Sequence, residues 1–142
     1  MIHSQKKDAF SLMEVMIAVI IMGVLASLAG PAILKKMRQL NVNATIATMA
    51  NFKSALNDYR EEVRHFPTKE EGGLEALVKA PKGLRGWDGS YLEGKTEIPL
   101  DRWGNEYVYN RPPKKYPVYK YYEIISEGDE VDTKGKELHD GQ

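Results

Sequence analysis

Glu14 is the first side chain whose setting points to chemistry. It is the fifth residue of an apolar run that opens at Phe10, and residues 15–34 carry no charge at all. A carboxylate at mid-membrane costs about 2.5–3.5 kcal/mol on insertion scales, less near the edge. An ordinary signal peptide or anchor has no use for such a charge. A second set lies far along the chain, where Glu127, Asp129, Glu130 and Asp132 place four carboxylates within six residues, beside Gly128. Hard oxygen donors of this kind can hold calcium, and a solvated acidic tail is the simpler reading. A third is the basic and aromatic run over residues 111–122. It offers cations and stacking rings as a single-stranded nucleic acid would want them. Strand tyrosines packing on a helix explain the same residues better, and no nucleic-acid partner is expected. His3, His65 and His139 are far apart and form no metal-binding pair. Nucleophile elbows and phosphate loops are absent from the sequence, so no catalytic residue is assigned and the chain reads as no enzyme.

Composition narrows the class. The chain has 142 residues, with 20 basic against 20 acidic side chains and no cysteine. That length allows one small domain with an appended element. Zero net charge argues against broad attachment to nucleic acid or anionic lipid. Without cysteine there is neither a disulfide framework nor a thiolate ligand.

These groups need elements to position them. Residues 15–34 are long enough, as a helix of about 30 Å, to cross a bilayer core. They suit an uncleaved anchor, a signal peptide cut after Ser27-Leu28-Ala29, or a leader cut before the apolar run. The pattern then thins into a stripe of Ile33, Met37, Leu40, Ala44, Ala47 and Ala50, resumed by Ala55, Leu56 and Tyr59 after a polar interruption near Asn51. This predicts one helix over residues 10–59, apolar in its first half and amphipathic in its second. Pro31 after Gly30 predicts a kink or an unwound turn. Beyond His65-Phe66-Pro67, Thr68 and Glu71 have capping-box spacing before a short helix carrying Leu74, Leu77 and Val78. Strands are expected over residues 106–110 and 118–125, with a third short one at residues 90–92. Trp103 is expected to bury its ring over the sheet.

Lys6-Lys7-Asp8-Ala9 followed by Phe10-Ser11-Leu12-Met13-Glu14-Val15 resembles the type IV prepilin signature. The resemblance implies cleavage between Ala9 and Phe10 by a prepilin peptidase, then N-methylation of Phe10. Ala9 stands where the family normally has Gly. Glu14 becomes the fifth mature residue and Pro31 the twenty-second, where the family often has Pro; both are thereby implicated in assembly. Downstream, His65-Phe66-Pro67-Thr68, Leu74-Glu75-Ala76-Leu77-Val78 and Asp101-Arg102-Trp103-Gly104-Asn105-Glu106-Tyr107 resemble the major pseudopilins of type II secretion. Phe66 departs from the usual Tyr and Arg102 from the usual Pro.

That family implies an α+β, type IV pilin-like fold: a long N-terminal helix packed on a small antiparallel sheet with a short helix. It divides the chain into a leader (1–9), a membrane and assembly segment (10–34) and a periplasmic domain (35–142). It implies a structural subunit of a secretion pseudopilus, polymerising with copies of itself and meeting minor pseudopilins and an inner-membrane assembly platform. Lys35, Lys36 and Arg38 would by charge counting lean toward a cytoplasmic C-terminus; the resemblance instead puts the leader in the cytoplasm and the domain outside. It also implies calcium in the final loop, with Asp129 matching the first aspartate. Asp132 is the substitute for a second, since the chain has Lys136-Glu137-Leu138 where another acid is expected. Two other readings stay open: a type IV pilin for adhesion, motility or DNA uptake, and a secreted binding domain behind an ordinary signal peptide.

Overall fold

The computed structural model describes residues 10–128 and 138–142. The chain falls into a first unit ending at Gln39 and a second from Leu40 to Gln142. One helix, α1 (Leu12–Val63), supplies nearly all of the first unit and the spine of the second. Ser11 opens it: the Met13 N–H donates to Ser11 Oγ at 3.3 Å, and the Val15 N–H to the Ser11 carbonyl at 3.2 Å. Glu14 then sits in the first turn, where the helix dipole favours a carboxylate. The helix is continuous across Gly30-Pro31, with no unwound turn. Pro31 removes one backbone donor, and the intact turns on either side hold the helix across that gap. The helix ends at Val63, four residues beyond the expected end, and Arg64 after it takes a left-handed φ of 72°.

In the second unit α1 buries Thr45, Met49, Phe52, Ala55, Leu56, Tyr59 and Val63. Ala55, Leu56 and Tyr59 fall where the stripe put them. Ala47 and Ala50 do not; both are exposed. The buried face is set by the large Met49 and Phe52, which bring far more apolar area out of water than alanines can. The apparent polar break at Asn51 is simply the helix's outer face.

After α1 the capping box forms as expected. The Thr68 N–H donates to Glu71 Oε2 at 2.8 Å, and the Glu71 N–H to Thr68 Oγ1 at 3.3 Å. It closes a turn rather than an α-helix. Gly72 and Gly73 take left-handed φ values of 97° and 61°, and the element that follows is a five-residue 3-10 helix, Gly73–Leu77. The glycine pair thus converts the short helix into something tighter. Three strands follow: β1 (Val108–Asn110), β2 (Glu123–Ser126) and β3 (Leu138–Gly141). They form an antiparallel sheet in the order β1-β2-β3, with Val108 opposite Ile125 and Ser126 opposite Leu138.

Two strand expectations change. Residues 90–92 form no strand: the Tyr91 N–H donates to the Leu77 carbonyl at 2.8 Å, a single bond and not a ladder. The third strand comes instead from the far side of the acidic run. The strand expected over 118–125 shrinks to its second half, because Tyr116, Pro117 and Val118 lie in a lobe outside the sheet. In the core, Phe52 meets Tyr107 edge-on with ring centroids 4.9 Å apart, while Tyr122 and Ile124 are fully buried. Of the tyrosines in the 111–122 run only Tyr122 enters the core, just before β2; Tyr116 and Tyr119 pack on His139 and Tyr121 is exposed. Trp103 is only half-buried; it is Trp87 that joins the core margin, donating from Nε1 to the Ala76 carbonyl at 2.8 Å.

Candidate functional site

The apolar half of α1 buries nothing within its own unit. Phe10 is 79% exposed, and every large hydrophobic side chain from Leu12 to Leu40 is also out in the open. This stretch is long and apolar enough to cross a membrane. A continuous exposed surface of this kind marks contact with lipid or with other chains. Glu14 and Pro31 both belong to it, 17 residues or roughly 25 Å apart along the axis. They are separate features and form no common site. Phe10 lies two residues before the helix, ahead of the capping Ser11. Ala9, Asp129 and Asp132 lie outside the described residues.

The second unit is organised by carboxylates that grip backbone. Asp101 is nearly buried and sits at the mouth of the Asp101-Arg102-Trp103-Gly104-Asn105 turn. Its Oδ1 accepts the N–H groups of Trp103 at 2.9 Å and Asn105 at 2.8 Å; its Oδ2 accepts the Ser126 hydroxyl at 2.6 Å. Asn105 Nδ2 then donates to the Gly128 carbonyl at 2.9 Å. Gly104 takes φ 89°, which closes the turn. The motif is therefore a clasp that fixes the end of β2 and the start of the acidic run. It also takes up the Ser126 hydroxyl and the Gly128 carbonyl. Among the described residues no group of three or more acidic or histidine side chains could hold a metal. A calcium site would rest on Asp129 and Asp132.

Glu123 is the second grip. Its carboxylate is fully buried in β2. Oε1 accepts the N–H groups of Lys114 and Lys115, both at 2.9 Å, and Asn110 Nδ2 at 2.7 Å; Oε2 accepts the Tyr116 N–H at 2.7 Å. Burial pushes the carboxyl up, but these donors outweigh burial and hold it at about 2. A third grip is Glu71, whose Oε1 lies 2.8 Å from His65 Nε2 while Oε2 takes the Thr68 N–H. Burial raises this carboxyl, and the Thr68 and His65 bonds bring it net below its ordinary value. His65 also lies 3.1 Å from the Val63 carbonyl through Nδ1. It thereby ties the end of α1 to the capping turn. Tyr91 donates to Glu62 Oε2 at 2.5 Å, and burial with that bond pushes its phenol up to about 12. Sequence reasoning missed Glu123 and the Asp101–Ser126 bond. A charge set between Tyr122 and Ile124 in an otherwise apolar strand was the available signal for the first.

The family profile described as "Type II secretion system (T2SS), protein G" matches residues 32–140, and the one described as "Prokaryotic N-terminal methylation motif" matches residues 4–30. The type II secretion system core protein G of Pseudomonas aeruginosa is 32% identical over 130 residues, covering 89% of this chain and 88% of that protein. The protein of the same name from Escherichia coli K12 is 32% identical over 127 residues, covering 88% and 83%. Among solved structures, the major pseudopilin of the type 2 secretion system of enterohaemorrhagic E. coli superposes with a TM-score of 0.57 at 21% identity. That match covers 75% of this chain and 91% of that one, a likeness of fold. The long helix on its three-stranded sheet, the two profile matches and these relatives agree: the chain belongs to the protein G family of the type II secretion system.

Proposed function

We propose that the mature chain is the structural subunit of the type II secretion pseudopilus, made as a precursor in the inner membrane and polymerised through the first half of α1. The observation that carries this reading is the uncovered apolar surface from Phe10 to Leu40 on a chain of this family. Lipid covers that surface before assembly, and copies of the chain cover it afterwards. The leader is residues 1–9, the membrane and assembly segment is 10–34, and residues 35–142 face the periplasm. A prepilin peptidase, minor pseudopilins and the inner-membrane platform are its partners. Growth of the filament helps to move proteins across the outer membrane.

The mature N-terminus tests this. Intact-mass spectrometry of the membrane-extracted protein is expected to give a chain starting at Phe10 and carrying one methyl group. A chain starting at Gly30 has lost the assembly helix and sinks the reading, and one that keeps Met1 indicates a plain anchor.

Calcium at Asp129 and Asp132 belongs to the same proposal. An ion there extends the clasp of Asp101 and Asn105 into the acidic run. Millimolar calcium is then expected to raise the Tm of the detergent-extracted full chain, because a ligand that binds only the folded state stabilises it. Asp129→Ala removes most of that rise, and magnesium replaces calcium poorly because of its tighter octahedral shell. Superimposable melts in calcium and in chelator would count against the site.

A further inference from the structure

Two segments flank the Asp101–Asn105 turn: residues 96–100 lead into it, and the chain from Glu106 leads out into β1. The Asp101 N–H donates to the Asn105 carbonyl at 2.9 Å, the first rung of an antiparallel ladder. The next rung would pair residue 99 with Tyr107. Pro99 has no N–H to give, and among the described residues no further backbone bond joins the two segments. They part, and a groove of about 870 Å³ opens beside them. Leu74, Val78, Ile98, Tyr107 and Tyr109 give it apolar walls.

The backbone along one side of this groove is unpaired. The sheet ends at β1, which pairs with β2 alone. On the far side of β2, Tyr122 and Gln142 exchange both N–H···O bonds, at 3.1 and 3.3 Å. Alternation from that pair aims the backbone groups of Ile124 and Ser126 at β3. Those of Glu123 and Ile125 are aimed at β1, where they meet Asn110 and Val108. The N–H and C=O of Tyr109 therefore point away from β2. Counting from the Asn105 carbonyl at the other end gives the same result for Tyr107 and Tyr109. An unpaired strand edge is a template for another strand.

We propose that this groove takes an extended segment of another protein, added antiparallel to β1 as a further strand of the sheet. Charge complementarity fixes what that segment carries. Glu106 stands at the turn end of the groove. Arg111 and Lys114 stand at the other, where Glu123, opposite Asn110, holds the Lys114 N–H. Lys69 lines the same groove. Glu106, Lys69 and Lys114 are exposed, and among the described residues none of them is in an ion pair. Glu75 and Lys79 offset each other along one wall, and Glu97 lies on the wall that ends in Leu100. An antiparallel occupant therefore carries an acid first, beside Arg111 and Lys114, and a base about five residues later, beside Glu106. β-Branched residues between them place alternate side chains against Tyr109 and Tyr107. Main-chain bonds supply affinity, and the charged ends set the direction. The inference uses the second unit alone, so failure of the pseudopilus reading leaves it standing.

The test titrates the detergent-extracted full chain with the peptide acetyl-Asp-Val-Thr-Val-Thr-Lys-amide. Binding is expected, with new exchange protection at the Tyr109 amide and no change at Val108, whose N–H already meets β2. The same peptide with its end charges exchanged binds about tenfold more weakly, since like charges then face each other at both ends. Methylating the nitrogens of the two valines, which face Tyr109 and Tyr107, also weakens binding by about tenfold, because the donors of both rungs are gone. Glu106→Lys with Lys114→Glu removes the preference between the two charge orders, while amide exchange in α1 stays as in the wild type. Absence of binding at millimolar peptide, unchanged exchange at Tyr109, or full binding by the methylated peptide overturns the proposal. So does a preference that survives the charge swap. A peptide that binds and also disperses the chain's own filaments assigns the groove to another copy, and the foreign partner is then overturned.

Discussion

A Glu14→Leu chain is expected to insert and be cut before Phe10, yet to build no filament and to leave secretion at background. Glu14 is set in the first turn of α1, on the exposed apolar surface. Once the leader is removed, the α-amine of Phe10 is the nearest new cation, and an α-amine is largely protonated at neutral pH. Within one chain both groups belong to the same helix end. In the staggered bundle of the proposed filament, the amine of one subunit would meet the Glu14 of its neighbour. Pairing then offsets part of the carboxylate's burial, and only in the assembled state and in one register. Leucine relieves the single chain of a membrane charge while removing what sets that register. Glu14 has a second property that must be separated from the first: at the helix start it also favours the dipole. Glu14→Gln keeps a polar side chain of the same length and removes the charge. Under the pairing model it fails as the leucine variant does. Wild-type filament yield from Glu14→Gln would discard the pairing and leave helix capping as the role.

The long helix, its apolar half and the approximate places of the capping turn, β1 and β2 were legible because they rest on local pattern. Residues 15–34 without a charge and the Lys-Lys-Asp-Ala-Phe junction need no tertiary information. Which face of the second half would be buried did not follow so simply. Alanines at 47 and 50 fit a stripe as well as Met49 and Phe52 do, and volume against the sheet decided between them. Thr45 is fully buried because its hydroxyl accepts the Arg102 N–H, a partner 57 residues away. Strand β3 was illegible for the same reason: Leu138-His139-Asp140-Gly141 has weak strand propensity, and its pairing with β2 alone makes it a strand. The capping box was read correctly, and the helix behind it was not, because two left-handed glycines redirect the chain at that point. The clasp at Asp101 was signalled by its motif only as a turn. Its grip on Ser126 joins residues 25 apart and required the fold.

Glu123 carries the largest stability effect expected in the outer domain. Its carboxyl is held at about 2 against an ordinary 4.5. Each unit corresponds to about 1.4 kcal/mol, so the depressed value represents stabilisation of about 3 kcal/mol, by order of magnitude. The folded value lies below the unfolded one. The stabilisation is therefore complete above about pH 4.5 and is lost as pH falls toward 2. Glu123→Gln keeps the volume but turns an NH2 group toward backbone donors, leaving N–H groups of the lobe facing another donor. It is expected to lower the Tm on the order of 10 °C at neutral pH for a domain of this size. It also flattens the loss of stability between pH 4.5 and 2. Amide exchange localises the effect: the protons of Lys114, Lys115 and Tyr116 lose protection, while Met49, Phe52 and Leu56 in α1 keep theirs. Equal Tm values for variant and wild type, or the same acid profile in both, would show that the buried carboxylate does not hold the lobe. Loss of filament yield in Glu123→Gln with unchanged exchange at Lys114 to Tyr116 would separate a role in assembly from one in holding the lobe.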